Sequence, residues 1–280
     1  MRVPEVGVSA GSTEAAIEQY IAQGSATVPG WFHPCDARIL AALSDAQLRA
    51  GIVGDMLEIG CYLGKSAILL GHLVGPHALH VCDVFGAAGE DEPRSREQSR
   101  YYSDLQRDAF EANYLRFHPS LPVIHAHASG ELDGLQPRSF RLIHVDGSHL
   151  YEQVLTDLEL SLELLAHGGV IAVDDFRQPH TPGVAAALWG LVNSARLEVL
   201  IISKAKAYVC RAGDDLARRT LDEVVDEGTR LRVVDTVIFG SAHADIRAVA
   251  LAKTPKQPMN QGQRPRLRKL LRRVRARMKR

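Results

Sequence analysis

Several features that mark specialised classes of protein are scarce in this chain of 280 residues. It has only four cysteines, scattered at positions 35, 61, 82 and 210, which favours buried free thiols over a disulfide framework. No run of about 18 apolar residues occurs, which excludes an ordinary membrane-spanning helix. The first residues lack the charged and apolar regions of a signal peptide. We therefore expect a globular protein of the cytoplasm.

Net charge is also missing, but the average hides a strong asymmetry. The chain has 33 basic and 33 acidic residues, yet residues 264–280 contain ten Lys or Arg and no acid. Residues 1–263 are left with 23 bases against 33 acids. The sequence therefore predicts an acidic body that is followed by a basic tail.

The basic tail carries an apolar stripe at helical spacing, formed by Leu267, Leu270, Leu271, Val274 and Met278. Basic amphipathic helices are typical of segments that lie on anionic membranes, so we expect peripheral membrane contact through residues 264–280. Nucleic acid is less favoured as a partner, because no aromatic residues accompany the arginines. The alternative is a flexible basic end that solubilises the chain or packs on its acidic body. A homo-oligomer is compatible with the sequence.

Hydrophobic periodicity divides the chain into four parts. We expect an N-terminal helical cap over residues 1–50, a core over 51–212, an extension over 213–252, and a linker with the basic tail over 253–280. The cap should contain helices at 12–23 and 36–50. The extension should contain a helix at 215–229 and a strand pair within 231–250.

The core alternates strands with helices. Strands are expected at 55–59, 78–82, 122–127, 140–145 and 170–173. The helices between and after them are expected at 65–74, 101–117, 150–166 (stopped by Gly168-Gly169) and 183–195. Two further β-rich runs, 197–202 and 207–210, are close enough to pair as an antiparallel hairpin. This order predicts an α/β fold with a doubly wound, mostly parallel seven-stranded sheet and an antiparallel edge hairpin.

One stretch in the core, residues 56–66, joins a buried strand to a helix through two glycines. Gly60 and Gly64 permit backbone angles and a close ligand approach that a side chain would forbid. A P-loop would need one more residue between these glycines. A dinucleotide-binding fingerprint would need a glycine where Tyr62 stands. Neither of those nucleotide sites uses the acid Glu58 at the strand end.

Polar side chains stand at the ends of most predicted strands. In doubly wound sheets, ligands bind outside the carboxyl ends of the strands, so these residues should point into one crevice. They are Glu58, Asp83, Ser129, Asp146, Asp174 and Asp175. This convergence is the main argument from the residues themselves for a single functional site.

The pattern Glu58-x-Gly60-x-x-x-Gly64 resembles the first motif of class I S-adenosylmethionine-dependent methyltransferases. Asp83, 25 residues after Glu58, resembles the acid that accepts the ribose hydroxyls in that family. The resemblance implies a Rossmann-like fold that binds S-adenosylmethionine. It assigns the cofactor to Glu58, Gly60, Tyr62, Gly64, Ser66, Asp83 and Ser129.

Three carboxylates form a second constellation. Asp146 ends one predicted strand, and Asp174-Asp175 end the next, so parallel neighbours would bring the three close together. Uncompensated, they would repel one another in a partly buried cleft. A divalent cation removes this difficulty, and oxygen ligands favour Mg²⁺, or Ca²⁺ and Mn²⁺, over zinc. The alternative is that one of the paired aspartates caps the following segment.

The spacing of these aspartates, 28 and 29 residues, resembles the metal site of catechol-type O-methyltransferases. The run from His144 to Leu158 resembles the metal-dependent sugar O-methyltransferases of macrolide and aminocoumarin pathways, a likeness that covers roughly residues 28–210. It implies that Asp146, Asp174 and Asp175 bind Mg²⁺ and that His149 is the general base. The alternative for His149 is a polar residue that begins the next helix. His144 and the histidines at 80, 125 and 127 are expected to be structural.

These observations together predict an Mg²⁺-dependent O-methyltransferase. Its acceptor would be a hydroxyl of a small molecule, most plausibly a sugar or glycoside, with a phenol as the other choice. Two alternatives stay open at this point. One is a metal-independent N- or C-methyltransferase of the same fold, and the other is a non-catalytic S-adenosylmethionine-binding protein.

Overall fold

The computed structural model describes residues 10–86, 105–225, 231–237 and 246–251. Nearly all of the polar loop expected at 86–100, and the whole of the linker and basic tail at 253–280, lie outside the described residues. So do residues 226–229 at the end of the helix expected at 215–229.

The described residues form nine strands and seven α-helices. The strands are β1 (Asp55–Ile59), β2 (Leu79–Cys82), β3 (Val123–His125), β4 (Phe140–Val145), β5 (Leu165–Val173), β6 (Leu197–Ile202), β7 (Ala207–Arg211), β8 (Leu231–Val237) and β9 (Ile246–Leu251). The helices are α1 (Ala10–Ala22), α2 (Pro34–Arg49), α3 (Lys65–Val74), α4 (Arg107–Tyr114), α5 (Tyr151–Leu164), α6 (Pro182–Asn193) and α7 (Asp215–Glu223). Short 3-10 turns occupy Gly24–Thr27, Pro76–Ala78 and Ser129–Glu131.

All nine strands belong to one sheet, in the order β3-β2-β1-β4-β5-β7-β6-β9-β8. Strands β1 to β5 are parallel, whereas β7 runs antiparallel to both β5 and β6. The predicted doubly wound α/β fold with an antiparallel hairpin is therefore confirmed. The predicted count of seven strands is wrong for the sheet as a whole, because the pair β8–β9 joins it beside β6.

The order of connection reverses at β1, since the chain moves from β1 to β2 and β3 and then returns to place β4 on the other side. Such a reversal opens a crevice at the carboxyl ends of the two central strands. Glu58 pairs with His144 in register, and Ile59 with Val145. The residues that follow these two strands, Gly60 and Asp146, are consequently neighbours.

Element boundaries differ from expectation mainly around β5. The strand begins at Leu165 and runs through Gly168 and Gly169, whereas the sequence predicts that this glycine pair ends a helix and that the strand begins at residue 170. Gly168 has φ +77°, and a Cβ there would stand 2.5 Å from the side chain of Ile52. The glycine therefore serves strand packing instead of helix termination. Helix α4 is also shorter than expected at its end, since residues 115–117 form a turn before Pro119.

Apolar side chains cover both faces of the sheet, as expected for strands with helices on both sides. On one face, Leu40 and Leu43 of α2 pack in a buried cluster with Met56 and Leu142 of the sheet. On the other, α5 and α6 cover the cluster that contains Leu57 and Ile143. All four cysteines are buried and free, which confirms that prediction. Among the described helices, none combines the length and the hydropathy needed to cross a bilayer.

Candidate active site

The glycine turn after β1 is shaped by close backbone packing. Gly60 has φ +82°, and its amide donates to the carbonyl of Cys82 at 2.8 Å. A Cβ on Gly60 would lie 2.1 Å from the carbonyl oxygen of Asp146. Gly64, with φ +92°, caps α3 and would bring a Cβ to 3.1 Å from the ring of Phe110. Both positions thus need glycine for conformation and for space.

Asp83 holds this turn from the neighbouring strand. Its Oδ2 accepts hydrogen bonds from the amides of Cys61 at 2.8 Å and Tyr62 at 2.9 Å. Its Oδ1 accepts only a long bond of 3.4 Å from the amide of Phe85. Burial raises the pKa of the carboxyl above its ordinary value, and the three amides partly offset this effect. The carboxylate therefore fixes the turn with one oxygen and offers the other to a ligand.

Glu58 is fully buried beneath the turn and pairs with a histidine. Its Oε1 lies 2.6 Å from Nδ1 of His144, which is its partner in the β1–β4 register. Its Oε2 is buried and has no hydrogen-bond partner among the described residues. Such an orphaned carboxylate oxygen is costly unless a ligand or water satisfies it. Glu58 therefore places one unsatisfied acceptor oxygen beneath the turn.

The other residues assigned to the cofactor lie around the same turn. The Oγ of Ser129 donates to Asp157, a buried residue of α5. Tyr62 is strained, with φ +45°, and its ring stacks on Trp31 with 5.9 Å between ring centroids. Ser66 is buried in the first turn of α3.

The three predicted metal ligands do not form one group. Oδ2 of Asp146 and Oδ2 of Asp174 both face the ammonium group of Lys206, at 3.9 Å for Asp146 and in direct contact for Asp174. Ligand atoms of His144, Asp146 and Asp174 all lie within 4.8 Å of one another, and this set does not include Asp175. The structure therefore assembles two of the three carboxylates, with an imidazole and a lysine.

The two aspartates of this cluster have pKa values shifted in opposite directions. Burial, reinforced by the neighbouring charge of Asp174, raises the pKa of Asp146 well above its ordinary value. Burial also acts on Asp174, but the Lys206 ammonium and His144 outweigh it and bring the pKa of that carboxyl below its ordinary value. Burial alone would lower the pKa of Lys206, but the charges of Asp174 and Asp146 outweigh it and raise this pKa above its ordinary value. The favoured state is a charged Lys206 beside an ionised Asp174.

Asp175 instead pairs with the predicted base. Its Oδ2 lies 2.9 Å from Nε2 of His149, and both side chains are partly exposed. Asp175 adopts φ +52°, a left-handed conformation that aspartate and asparagine tolerate better than most residues. The arrangement resembles the carboxylate–imidazole pairs that orient a general base in hydrolytic triads.

Two adjoining cavities open at this edge of the sheet. The smaller, of about 120 Å³, is lined by Asp83, Ser129 and the Gly60 turn. The larger, of about 600 Å³, is lined by His149, Asp174, Asp175 and Lys206, with Trp31 and Phe32 on one side. Gly60, Tyr62 and Asp146 line both cavities. The glycine turn and the carboxylates thus face neighbouring parts of one crevice.

Sequence reasoning missed Lys206. His144, which was expected to be structural, is fully buried and contacts Glu58, and its Nε2 lies 3.8 Å from Asp146. Lys206 carried no signal beyond its place at the start of a β-rich run, because its contact with Asp174 depends on the pairing of β5 with β7.

Comparison with known proteins agrees with these features. Residues 57–176 match the family model described as a methyltransferase domain. This match covers the glycine turn, Asp83, His149 and all three aspartates, and it confirms the resemblance to S-adenosylmethionine-dependent methyltransferases. No curated protein sequence gives a significant match to the chain.

Several solved structures are similar to the chain at low sequence identity. The O-methyltransferase NovP is 16% identical, with a TM-score of 0.55, over 72% of this chain and 98% of that one. CalS11, a TDP-rhamnose 3'-O-methyltransferase of calicheamicin biosynthesis, is 20% identical, with a TM-score of 0.42, over 75% of this chain and 97% of that one. An O-methyltransferase from Bacillus cereus in complex with SAH is 19% identical, with a TM-score of 0.41, over 73% and 91%. At this identity the likeness to NovP concerns the fold alone.

Proposed function

We propose that this methyltransferase domain transfers a methyl group from S-adenosylmethionine to a hydroxyl of a small molecule, with a sugar or glycoside as the preferred class. The observation that carries the proposal is the His149–Asp175 pair, which faces the larger cavity beside the glycine turn. O-methylation requires a base near the acceptor, since the hydroxyl proton must leave as the new bond forms.

The cofactor side of the crevice fits S-adenosylmethionine. Oδ1 of Asp83 would accept from the ribose hydroxyls, and Ser129 lies in the same smaller cavity. The orphaned Oε2 of Glu58 lies buried beneath the same turn, as an acceptor that a bridging water could satisfy. When bound, S-adenosylmethionine supplies an electrophilic methyl group on a sulfonium.

His149 would take the proton from the acceptor hydroxyl. With the proton on Nε2 directed at Asp175, the basic lone pair is on Nδ1. A free hydroxyl has a pKa far above that of imidazole, so proton removal must accompany formation of the O–CH₃ bond. The imidazole becomes imidazolium in that step, and the adjacent Asp175 carboxylate stabilises the new charge.

The acceptor side supports a ligand with apolar and polar faces. Trp31 is 73% exposed and stacks on Tyr62 at the border of the larger cavity. His180 and Gln178 line the same cavity and offer hydrogen bonds. A sugar ring has this mixture of C–H faces and hydroxyl edges, which suits a site of aromatic rings with a few polar groups.

The predicted Mg²⁺ ion fits the donor set poorly. Asp175 is engaged by His149, and an ammonium group already contacts Asp174 and lies 3.9 Å from Asp146. The remaining candidate ligand, His144, directs Nδ1 at Glu58. An imidazole with two carboxylates around a lysine is not the oxygen-rich set that Mg²⁺ prefers. The mechanism above therefore contains no metal step.

A paired-substrate screen tests the proposal. The full chain is incubated with S-adenosylmethionine and a panel of glycosides and phenols, each offered beside its deoxy analogue, and products are identified by mass spectrometry. We expect methylation of at least one hydroxylated compound and none of its deoxy partner. Methylation of the deoxy partner at nitrogen or carbon would favour the alternative chemistry. Cofactor binding without any transfer across the panel and across amine acceptors would favour a non-catalytic binding protein.

A further inference from the structure

Lys206 is a buried cation that the proposed mechanism leaves unused. Its side chain is 1% exposed, and its Nζ contacts Oδ2 of Asp174 and lies 3.9 Å from Oδ2 of Asp146. The ammonium also lies 5.6 Å from the ring centroid of Phe32, within the range of a cation–π contact. A buried lysine is rare unless it is paired, and here the partners are two of the three carboxylates expected to bind metal.

The fold delivers Lys206 to this position through the hairpin of β6 and β7. Strand β7 runs antiparallel to β5, and Val173 pairs with Ala207. The adjacent residues, Asp174 and Lys206, therefore face each other just beyond the last pair. Ser203 braces the hairpin, because its Oγ accepts from the amide of Lys206 at 2.9 Å and its own amide donates to the carbonyl of Lys206 at 2.8 Å.

A lysine ammonium and a divalent cation cannot share this space. Two positive charges at a few ångströms repel strongly at the low effective dielectric of a buried site. A metal ion could enter only if Lys206 left, and the side chain would then have to move out from between Phe32 and the two aspartates.

We infer that Lys206 is the built-in cation of this site, taking the place between Asp146 and Asp174 that a divalent metal would otherwise occupy, so that methyl transfer proceeds without metal. The inference rests on the proposed function for its last clause only. Lys206 is a positioning residue: its ammonium compensates the charge of Asp174 and lies beside the carboxylate of Asp146, which borders both cavities.

Direct titration with Mn²⁺, followed by electron paramagnetic resonance of the free ion, tests the inference. The full chain, Lys206→Ala, Lys206→Arg and the control Lys204→Ala are compared at Mn²⁺ concentrations up to about 1 mM, a range that covers weak carboxylate sites. Lys204 belongs to the same hairpin and leaves Lys206 in place. We expect no Mn²⁺ binding within this range by the parent chain, by Lys206→Arg or by the Lys204→Ala control. Lys206→Ala should bind Mn²⁺ with a dissociation constant at least about tenfold below the upper limit of the range.

The outcomes separate this inference from the proposed function. Stoichiometric Mn²⁺ binding by the parent chain that is lost in Asp174→Asn would overturn it, whether or not any acceptor is methylated. If Lys206→Ala does not fold, the parent titration still decides, and equilibrium dialysis of the parent chain against Mn²⁺ gives a second measurement. Transfer activity that survives EDTA would support the inference, and activity that EDTA abolishes and Mg²⁺ restores would overturn it.

Discussion

Gly60 packs directly against the backbone of Asp146, so that a Cβ on the glycine would stand 2.1 Å from the aspartate's carbonyl oxygen. The turn assigned to the cofactor and the loop that begins with Asp146 are thus in van der Waals contact without an intervening side chain. The amide of Asp146 also donates to the carbonyl of Ile59 at 2.8 Å. A displacement of either loop will therefore displace the other.

Gly60→Ala should be strongly destabilising. The new methyl group would meet backbone atoms, which cannot rotate away, and φ +82° is unfavourable for alanine. We expect a loss of at least about 3 kcal/mol in the free energy of unfolding and loss of S-adenosylmethionine binding, measured by denaturant titration and calorimetry. Gly51→Ala is the matched control, since Gly51 also has a positive φ but has no atom within 4 Å of its Cβ position. The control should lose only about 1 kcal/mol, and equal losses in both variants would remove the steric argument.

His149→Ala should lower kcat by about 100-fold or more, while S-adenosylmethionine binding stays within about twofold of the parent, because only the proton transfer is lost. Asp175→Asn should lower kcat by about tenfold or more. Asparagine preserves the size of the side chain and tolerates φ +52°, so this variant removes charge and little else.

Steady-state kinetics with an acceptor found in the screen, together with calorimetric cofactor titration, measures both effects. Asp45→Asn is the control, because Asp45 is exposed and, within the part of the chain that the structure describes, forms its ion pair with Arg49. Its kcat should match that of the parent. Unchanged turnover in His149→Ala would exclude His149 as the base, and a kcat in Asp175→Asn equal to that of Asp45→Asn would exclude Asp175 as its partner.

Acid should destabilise the chain through His72. Burial, with a smaller contribution from the charge of His118, lowers the pKa of His72 to about 4, below its unfolded value of about 6.5. The unfolded chain therefore binds a proton between these values that the folded chain excludes, so stability is full above about pH 6.5 and falls as the pH drops toward 4. Because the ring is partly exposed, the loss should amount to about 1–2 kcal/mol.

Urea unfolding at about pH 7 and about pH 5 measures this effect. His72→Gln should lose less stability than the parent chain between the two conditions, since glutamine does not titrate. His167→Gln should behave as the parent does, because the side chain of His167 is 78% exposed. A pH dependence in His72→Gln as steep as in the parent would assign the acid sensitivity to other groups.

The basic tail, which lies outside the described residues, should mediate attachment to anionic membranes. Removal of residues 261–280 takes away all ten bases of the tail with its apolar stripe, so we expect loss of co-sedimentation with anionic vesicles. A variant with Leu267, Leu270 and Leu271 replaced by Ser keeps every base and should bind more weakly than the parent. Unchanged co-sedimentation after truncation would disprove the membrane role.

Local patterns predicted most of the fold. The α/β alternation, the parallel core and the hairpin follow from hydrophobic periodicity and from the glycine turn, because these depend on neighbours in sequence. The start of β5 before Gly168 could not be predicted from local sequence. Glycine is required there because a Cβ would collide with the side chain of Ile52, more than 100 residues away. The attachment of β8 and β9 beside β6 likewise depends on long-range strand pairing.

The functional crevice shows the same division. Local spacing was enough to predict which polar residues follow the strands, because strand ends and the glycine turn depend on nearby residues. The pairing of those residues depends on the tertiary structure. It placed Asp175 beside His149 and Lys206 beside Asp146 and Asp174, because the β5–β7 register brings Lys206 next to Asp174. Charge pairing in a buried site depends on distances of a few ångströms, and only the folded chain sets these.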